Sequence, residues 1–335
     1  MSSYRDSVGG ALEALTILSP TSYSWFGSGV RGLSPEIEAA MDAKTARSYL
    51  LHQLQAQLYD DFYCRGEARP SMPDPWPAPR GGPSPLVQAL SKTNAGSGSL
   101  EGGWRVVEVD RDEVVVERDG LRVWASPHEI LVSDGVPLTP GAVARVLMPK
   151  ELLRLSPGYY MALGDVEFPA PGTDPLVRFY WNLRSGGAVR LVGLLTRALN
   201  EAWLAFRLKV VSASDAFVRC DAGVLYTPAS QYDQTARVVA EAHAQVVHEL
   251  KASTPAFTKP LAPGLGLSED PAGGLDSFGM TRCGLLADAA LRAAELGAVT
   301  IPERLDVVAA RFAEDGIDLD APYLNSGSTD RYVFP

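Results

Sequence analysis

The stretch AFRLKVVSASDAFVRCDAGVLYT, residues 205–227, decides the fold. It contains two apolar runs, AFRLKVV and AFVRCDAGVLYT, separated by the polar residues SASD. Two runs rich in β-branched and aromatic residues on either side of a polar turn predict an antiparallel hairpin. Because side chains alternate between the two faces of a strand, Lys209 shares a face with Arg207, opposite Leu208 and Val210.

Further β-strand signals precede this hairpin. RFYWNL at residues 178–183 predicts a strand, and a helix over residues 188–202 follows it. Before them, short strands and turns extend to Asp174. Residues 104–130 alternate β-branched and charged residues around RD and DG turn signals, which is typical of a small antiparallel meander.

The N-terminal part is predicted to be helical. SPEIEAAMDAKTARSYLLHQLQAQLYDDFY, residues 34–63, begins with Ser34 as an N-cap and Pro35 in the first helical position. Its apolar residues recur at helical spacing, so one long amphipathic helix is expected. The next segment, residues 69–85, is rich in Pro and Gly and is expected to form an extended connector or surface loop.

Two Ala-rich segments of helical periodicity, residues 230–253 and 280–297, predict helices near the C-terminus. Between them, residues 254–279 contain four Pro and five Gly. We expect an irregular loop there, and a loop of this length usually has a functional role.

These elements together predict an α+β fold. A curved mixed or antiparallel sheet would carry the site, with helices packed on its outer side. We divide the chain into residues 1–140, a helical region, connector and β-meander for docking a peptide or partner, and residues 141–335, the domain that carries the chemistry.

Composition restricts the classes of function. The 335 residues are 46% hydrophobic, which is enough for a substantial core, and their net charge of -10 argues against general binding of nucleic acid or anionic membranes. The three cysteines form no CxxC pair, so neither a disulfide framework nor a thiolate zinc site is indicated. The N-terminus lacks a secretory pattern and no run of 18 apolar residues occurs, so a cytoplasmic location is expected.

Several strings occur in a fixed order along the C-terminal half of the chain. Together they resemble the HopA effector family over roughly residues 145–300. The strings are SPGYYMALGD at 156–165, RFYWNL at 178–183, FRLKV at 206–210, RCDAGVLY at 219–226, PAFTKPLAPGLGLSEDP at 255–271 and SFGMTR at 277–282.

This resemblance implies a function. Members of the family in peptide-natural-product clusters act as phosphoserine/phosphothreonine lyases after a kinase-like phosphotransferase has phosphorylated a precursor peptide. Their dehydroamino acid products are later cyclised, as in class V lanthipeptides and thioamitides. The implied partners are the phosphorylated precursor peptide, the phosphotransferase and a cyclase. The elimination needs no metal or other cofactor.

Lys209 is the candidate base for such an elimination. A lysine removes a proton only when neutral, and its usual pKa of about 10.4 would be lowered by burial or by neighbouring Arg charges. Arg207, on the same face of the strand, is a candidate phosphate ligand. The alternative is that Lys209 is a solvated residue of an amphipathic strand.

Three charged residues complete the expected phosphate site. Arg219 and Asp221 alternate in the second predicted strand, so their side chains share a face that pairing could bring beside Lys209. Arg219 would bind phosphate, and Asp221 would orient a cation or form a merely structural ion pair. Arg282 follows SFG at the start of a predicted helix, where backbone N–H groups attract anions, and is the second expected ligand.

The remaining candidates are less specific. Arg178 and Tyr180 lie two residues apart on one strand and could contact phosphate or peptide, although a packed Tyr180 is the simpler interpretation. Tyr160 is a candidate catalytic residue. Lys259 in the long loop could close over the phosphate or be solvated, and Ser277 is a supporting residue.

The sequence does not identify the general acid. The family also has a distant likeness to phosphothreonine lyase effectors, which use a histidine. All four histidines of this chain lie outside the matching strings, however, and are interpreted as surface or packing residues. Tyr160, Lys259 or an Arg-held water could supply the proton. The histidines are His52, His128, His243 and His248.

Two other classes of protein are alternatives to a lyase. A kinase is disfavoured because the sequence has no GxxxxGK[ST] loop and no HRD or DFG set. The main alternative is a non-catalytic effector-like or scaffold protein that binds a protein partner. Several cations predicted to be buried argue against it, because a scaffold does not need them.

Overall fold

The computed structural model describes residues 3–29, 33–64, 83–153, 156, 158–170, 172–271 and 276–335. The predicted connector at residues 69–85 lies almost wholly outside these ranges. The α-helices of the described residues are α1 Tyr4–Ala14, α2 Pro35–Ala40, α3 Ala43–Gln57, α4 Pro85–Thr93, α5 Gly187–Glu201, α6 Tyr232–Val246, α7 Phe278–Glu295 and α8 Ile301–Glu314.

The described strands form three antiparallel sheets, which confirms the predicted α+β class. The strands are β1 Leu15–Ser19, β2 Ser22–Trp25, β3 Ser28–Gly29, β4 Ser99–Val109, β5 Val114–Arg118, β6 Leu121–Ala125, β7 Ile130–Val132, β8 Val143–Met148, β9 Glu151–Leu152, β10 Tyr159–Leu163, β11 Leu176–Trp181, β12 Arg207–Val211, β13 Gly223–Pro228, β14 Lys259–Ala262 and β15 Leu265–Glu269.

The largest sheet has seven strands in the order β14-β15-β11-β13-β12-β10-β9. Its central strands are apolar on one face, where Phe179, Trp181, Leu208 and Leu225 are fully buried against α5 and α6. Burial of each such side chain contributes roughly 1.5–3 kcal/mol. The main core of the molecule lies on this face of the sheet. None of the ionised groups of the candidate site is on it.

Helices from both ends of the chain cover part of the opposite face. α1 and α3 pack with α7 and α8 in a second core that includes Tyr180 and Val224 of the sheet. The ring of Tyr63 lies against the start of α7, where a Cβ at Gly279 would collide with it. The N-terminal helices therefore share a core with the C-terminal helices.

The prediction of one continuous helix over residues 34–63 is wrong. α2 ends at Ala40, and Asp42 caps a new helix by accepting a hydrogen bond from the Thr45 N–H at 2.8 Å. After α3 the chain continues as a π-helix over Leu58–Tyr63. The wider π-turn changes which side chains face the sheet, and π-turns often occur at functional sites.

The predicted meander at residues 104–130 belongs to a five-stranded sheet of order β6-β5-β4-β8-β7. One face of this sheet is a small core that contains Trp104, Val106, Val116 and Val146. The strands alternate as predicted, so the other face carries charged and apolar side chains that are open to solvent.

The prediction of an irregular loop over residues 254–279 is wrong for its first half. β14 and β15 form a hairpin there, and β15 pairs with β11 inside the seven-stranded sheet. Gly264 makes the turn possible with a φ of +72°, where a Cβ would collide with the Lys251 carbonyl oxygen. The Pro and Gly residues here belong to the turn of a hairpin. Composition alone does not distinguish such a turn from an irregular loop.

Candidate functional site

The candidate site lies on the second face of the seven-stranded sheet, beside the helical layer. On β12, Lys209 is directly opposite Met161 of β10 and Val224 of β13, so all three side chains share this face. The Lys209 Nζ lies 3.8 Å from the centroid of the Tyr159 ring, which is a cation–π contact. Among the described residues, Lys209 has no carboxylate within 4.0 Å of its amine.

Arg219 and Asp221 form a buried ion pair beside Lys209. The Arg219 Nε donates to Asp221 Oδ1 at 2.7 Å, and its Nη2 donates to Asp221 Oδ2 at 3.0 Å. Both side chains are 8% exposed. A two-point contact of this kind fixes the guanidinium plane, so the position of Arg219 is set before any ligand arrives.

The prediction that Arg219 and Asp221 belong to a strand is wrong, because β13 begins at Gly223. Residues Ser214–Val218 form a 3₁₀-helix, after which the backbone is extended at Arg219. The Cys220 N–H donates to the Cys64 carbonyl oxygen at 2.5 Å, so this segment is attached to the end of the π-helix. The extended backbone still puts both side chains on one side, as alternation predicts.

Two residues of the N-terminal region complete the group. The Arg219 Nη2 also donates to the Tyr59 hydroxyl at 3.0 Å and to the Cys64 Sγ at 3.2 Å. The Arg219 guanidinium carbon is 5.6 Å from the Tyr59 ring centroid and 5.9 Å from that of Tyr159. We call Tyr59, Tyr159, Lys209, Arg219 and Asp221 the Lys209 cluster.

Burial and charge set the ionisation of the cluster. Burial is the main cause that lowers the pKa of Lys209, to about 8; the Arg219 charge lowers it further and Asp221 opposes the shift. Burial alone would raise the pKa of Asp221, but the Arg219 guanidinium outweighs it and holds the carboxyl below its ordinary range. The cluster therefore combines a permanent ion pair with an amine that titrates near neutral pH.

A second ion pair lies further along the same face. Arg178 of β11 pairs with Asp270, and its guanidinium carbon is 5.0 Å from the Tyr226 ring centroid. Tyr226 is opposite both Arg178 and Arg207 in the strand register. The charge of Arg178 also acts to lower the pKa of Lys209.

Tyr160 lies on the wrong face of the sheet. It is directly opposite Val210, is fully buried in the main core and donates its hydroxyl to Glu151 Oε2 at 2.6 Å. Its neighbour Tyr159 faces Lys209 instead. Tyr160 was the predicted candidate, but adjacent residues of a strand point to opposite faces, and the tyrosine on the Lys209 face is Tyr159.

Arg282 and Lys259 hold the C-terminal segment and do not face Lys209. The Arg282 Nε and Nη2 donate to the carbonyl oxygens of Pro322 and Leu324 at 2.8 and 2.9 Å. The Lys259 Nζ pairs with Asp330 at 2.6 Å. These contacts direct both side chains to the C-terminal segment, so neither residue is part of the site around Lys209.

The other predicted residues have structural contacts. Ser277 caps α7, since its hydroxyl accepts from the Met280 N–H at 3.3 Å. The buried Tyr180 hydroxyl is 3.1 Å from Ser268 Oγ, which agrees with the packed role that was the simpler interpretation. The Arg207 guanidinium carbon lies 4.4 Å from the Phe168 ring centroid, toward the five-stranded sheet.

The four histidines lie away from the Lys209 cluster, at positions that fit their interpretation as surface or packing residues. His52 on α3 contacts the Ser48 carbonyl oxygen, and His243 on α6 contacts that of Pro263. His128 and His248 are exposed in short 3₁₀-helices.

The described ranges contain neither a candidate metal site nor a helix that could span a membrane. Those ranges contain no group of three or more His, Cys, Asp or Glu side chains suited to a metal ion. In the same ranges, no helix has the length and hydrophobicity needed to cross a bilayer. The three cysteines are buried, and none of them forms a disulfide within the described residues.

The fold and site define an α+β protein with a buried cationic cluster on one face of an antiparallel sheet. The sequence pattern of the HopA1 effector protein family matches residues 150–324, more than half of the chain, and the chain belongs to that family. This match contains Tyr159, Lys209, Arg219 and Asp221, but not Tyr59. No curated protein matches the sequence.

Two solved structures are similar to this chain. One is an effector protein from Pseudomonas syringae pv. tomato strain DC3000, with 14% identity and a TM-score of 0.44 over 83% of this chain and 97% of the other. The second is an effector protein from Pseudomonas syringae pv. syringae strain 61, with 14% identity and a TM-score of 0.42 over 72% and 80% of the two chains.

Sequence reasoning missed Tyr59, Cys64, Tyr159 and Tyr226 as parts of the site. Tyr159 and Tyr226 lie within the strings that resemble the family. Once the pairing of their strands with β12 is known, side-chain alternation puts both on the same face of the sheet as Lys209 and Arg207. No local signal pointed to Tyr59 or Cys64, because they reach the site through a long-range contact of the N-terminal region.

Proposed function

We propose that this protein is a lyase that eliminates phosphate from phosphoserine or phosphothreonine in a ribosomal precursor peptide, giving dehydroalanine or dehydrobutyrine. The observation that carries the proposal is the partly buried Lys209, whose pKa is lowered to about 8 beside the Arg219–Asp221 pair. A neutral amine next to a fixed guanidinium supplies the two functions that this elimination needs: a base and a cation for the leaving group.

The proposed reaction begins when the neutral Lys209 amine removes the α-proton of the phosphorylated residue. The electron pair of the broken C–H bond forms the Cα–Cβ double bond, and the Cβ–O bond breaks with its electrons on the phosphate. Lys209 becomes an ammonium ion, whose charge lies on the Tyr159 ring at 3.8 Å and within the field of Asp221.

Arg219 is the proposed phosphate ligand. Its Nε and Nη2 are held by Asp221, while the Nη1 makes no hydrogen bond to any residue of the described ranges. That amino group is available to a phosphate oxygen without breaking the ion pair. A guanidinium held in advance stabilises developing negative charge without reorganisation during the reaction.

The direct test is to incubate the protein with precursor peptides phosphorylated on Ser or Thr, without nucleotide, and to follow loss of phosphoric acid by mass spectrometry. We expect a dehydroamino acid and free phosphate. Arg219→Gln should slow the reaction strongly, whereas Arg197→Gln, on the exposed side of α5, should not. If no phosphopeptide is dehydrated or bound, the scaffold alternative replaces this proposal.

The reaction should accelerate with pH through the titration of Lys209. The active form is the neutral amine, so with a pKa of about 8 only about a tenth of the molecules are competent at pH 7 and most are at pH 9. We expect kcat/KM to rise ~10-fold between these two values. A rate that is flat or falls over this range would exclude Lys209 as the base.

The partners of the reaction follow from the same proposal: the phosphorylated precursor peptide, a separate kinase-like phosphotransferase and a downstream cyclase. We propose that the peptide docks on the open face of the five-stranded sheet. This face exposes 66% of Trp124 and 62% of Val143, with Leu131 and Arg145 also on it. The N-terminal helices are less suitable, because their apolar faces are already buried.

Surface variants test this docking better than deletion of residues 1–140, which would expose the core shared with α7 and α8. We expect Trp124→Ser with Val143→Asp to weaken binding of full-length precursor ~100-fold, because about 3 kcal/mol of apolar contact would be lost. Binding would be measured by fluorescence anisotropy. Equal affinity of this variant and the unmodified protein would place the docking surface elsewhere.

A further inference from the structure

Tyr59 is a member of the Lys209 cluster whose hydroxyl proton has no hydrogen-bond acceptor among the described residues. Its oxygen accepts a hydrogen bond from the Arg219 Nη2 at 3.0 Å, and it donates to no residue within the described ranges. The ring is stacked on Tyr63 with centroids 5.4 Å apart and an interplanar angle of 16°. The ring position is therefore fixed, while the O–H can turn toward a ligand bound at Arg219.

The proposed elimination needs a proton at this location. When the Cβ–O bond of a phosphate monoester dianion breaks, the electron pair stays on the bridging oxygen. Without a proton the departing group would be the phosphate trianion, a much stronger base than the dianion and a poor leaving group. A general acid that reaches the bridging oxygen removes this obstacle.

We propose that Tyr59 is the general acid that protonates the bridging oxygen of the departing phosphate. The inference rests on the lyase activity proposed above and assigns a residue outside the family match to its catalytic machinery. As the Cβ–O bond breaks, the Tyr59 O–H proton moves to the bridging oxygen and phosphate leaves as the dianion. The proton removed from Cα remains on Lys209, so protons and charge balance.

The surroundings of Tyr59 support both states of this group. Burial raises the pKa of Tyr59 well above its usual value, with the Arg219 charge opposing the shift, so the phenol carries its proton at neutral pH. After the transfer, the phenolate oxygen is already the acceptor of the Arg219 Nη2 hydrogen bond, which stabilises it. The same guanidinium thus contacts phosphate and acid.

Other donors of the site are less suited. The Cys64 thiol already lies 4.0 Å from Asp221 Oδ2, and burial raises its pKa well above the usual range. The Tyr159 ring makes a cation–π contact with the Lys209 amine, and the Tyr226 ring makes one with the Arg178 guanidinium. Each of these rings is therefore already used to hold a cation of the site.

The test is Tyr59→Phe, which keeps the ring on Tyr63 and removes only the hydroxyl. Tyr49→Phe, ten residues earlier on α3, is the matched control. Single-turnover rates and phosphopeptide affinity are measured separately for the unmodified protein and both variants. We expect Tyr59→Phe to lower the elimination rate ~100-fold, with affinity unchanged within a factor of about 3, and Tyr49→Phe to change neither.

Two results would overturn the inference. A Tyr59→Phe rate within about threefold of the unmodified protein would show that the hydroxyl supplies no proton. A loss that appears only as weaker phosphopeptide binding would make Tyr59 a positioning residue for Arg219. Either result leaves the lyase proposal standing, whereas that proposal fails separately if the unmodified protein does not dehydrate phosphopeptides.

Discussion

Lys209→Met should lower the rate of phosphopeptide elimination ~10³-fold, which is within the range that a positioned general base contributes. Methionine has a similar length and an unbranched chain, so it fills the space beside Tyr159 but cannot accept a proton. The rise of the rate with pH through about 8 should disappear with it. Rates are measured by mass spectrometry of the dehydrated peptide.

The same substitution should make the fold more stable at neutral pH. Burial lowers the pKa of Lys209 from 10.5 to about 8, so the unfolded chain binds more protons between these values and the charged amine destabilises the folded state below pH 8. Removing the charge should raise the Tm at pH 7 by on the order of 2 °C. The difference should shrink above pH 10.

Lys44→Met is the matched control, because Lys44 is exposed in the first turn of α3. It should change neither rate nor Tm by a measurable amount. Full activity of Lys209→Met would refute the assignment of the base. A lower Tm for Lys209→Met would show that the amine makes a stabilising contact beyond its cation–π contact with Tyr159.

Asp221→Asn should destabilise the protein by about 3–5 kcal/mol, because it leaves the buried Arg219 guanidinium without its counter-charge. The amide has nearly the shape of the carboxylate, so packing is preserved and the effect isolates charge. The free energy of unfolding is measured by urea titration at pH 7. Elimination should also be slowed, since the guanidinium plane is no longer fixed by two hydrogen bonds to a carboxylate.

Two further variants separate charge from packing. Asp215→Asn, at an exposed position of the preceding 3₁₀-helix, should leave stability within about 0.5 kcal/mol of the unmodified protein. Arg219→Met combined with Asp221→Leu should recover most of the stability lost in Asp221→Asn, but no activity. An Asp221→Asn protein as stable as the unmodified one would mean that solvent or a ligand neutralises Arg219.

The fold class and several elements were predictable because they depend on local patterns. The strand at residues 178–183 and the helix over residues 188–202 correspond to β11 and α5 within one or two residues. The hairpin of β14 and β15, within the predicted loop over residues 254–279, was not predicted, because the Pro and Gly content of that segment is equally typical of a loop. The break in the helix at Asp42 was also missed, although an aspartate followed by a helical run is a common start signal.

The chemistry of the candidate site was partly predictable. Alternation placed Arg207 and Lys209 on one face, and the structure places Arg219 and Asp221 in a pair close to Lys209. Arg282 was predicted to bind phosphate because it lies near the start of a helix, where backbone N–H groups attract anions. The position of a residue near a helix start does not, however, determine which group its own side chain contacts. In this chain the guanidinium is satisfied by the carbonyl groups of the C-terminal segment.

The sequence by itself determined which residues could carry charge on one side of β12, because the two-residue period is a property of the backbone and needs no knowledge of partners. Only the tertiary structure decided which of two adjacent tyrosines faces Lys209, and that Tyr59, 160 residues before Arg219 in the chain, contacts its guanidinium. Strand register and the packing of the π-helix depend on contacts between distant segments, and no local pattern encodes them.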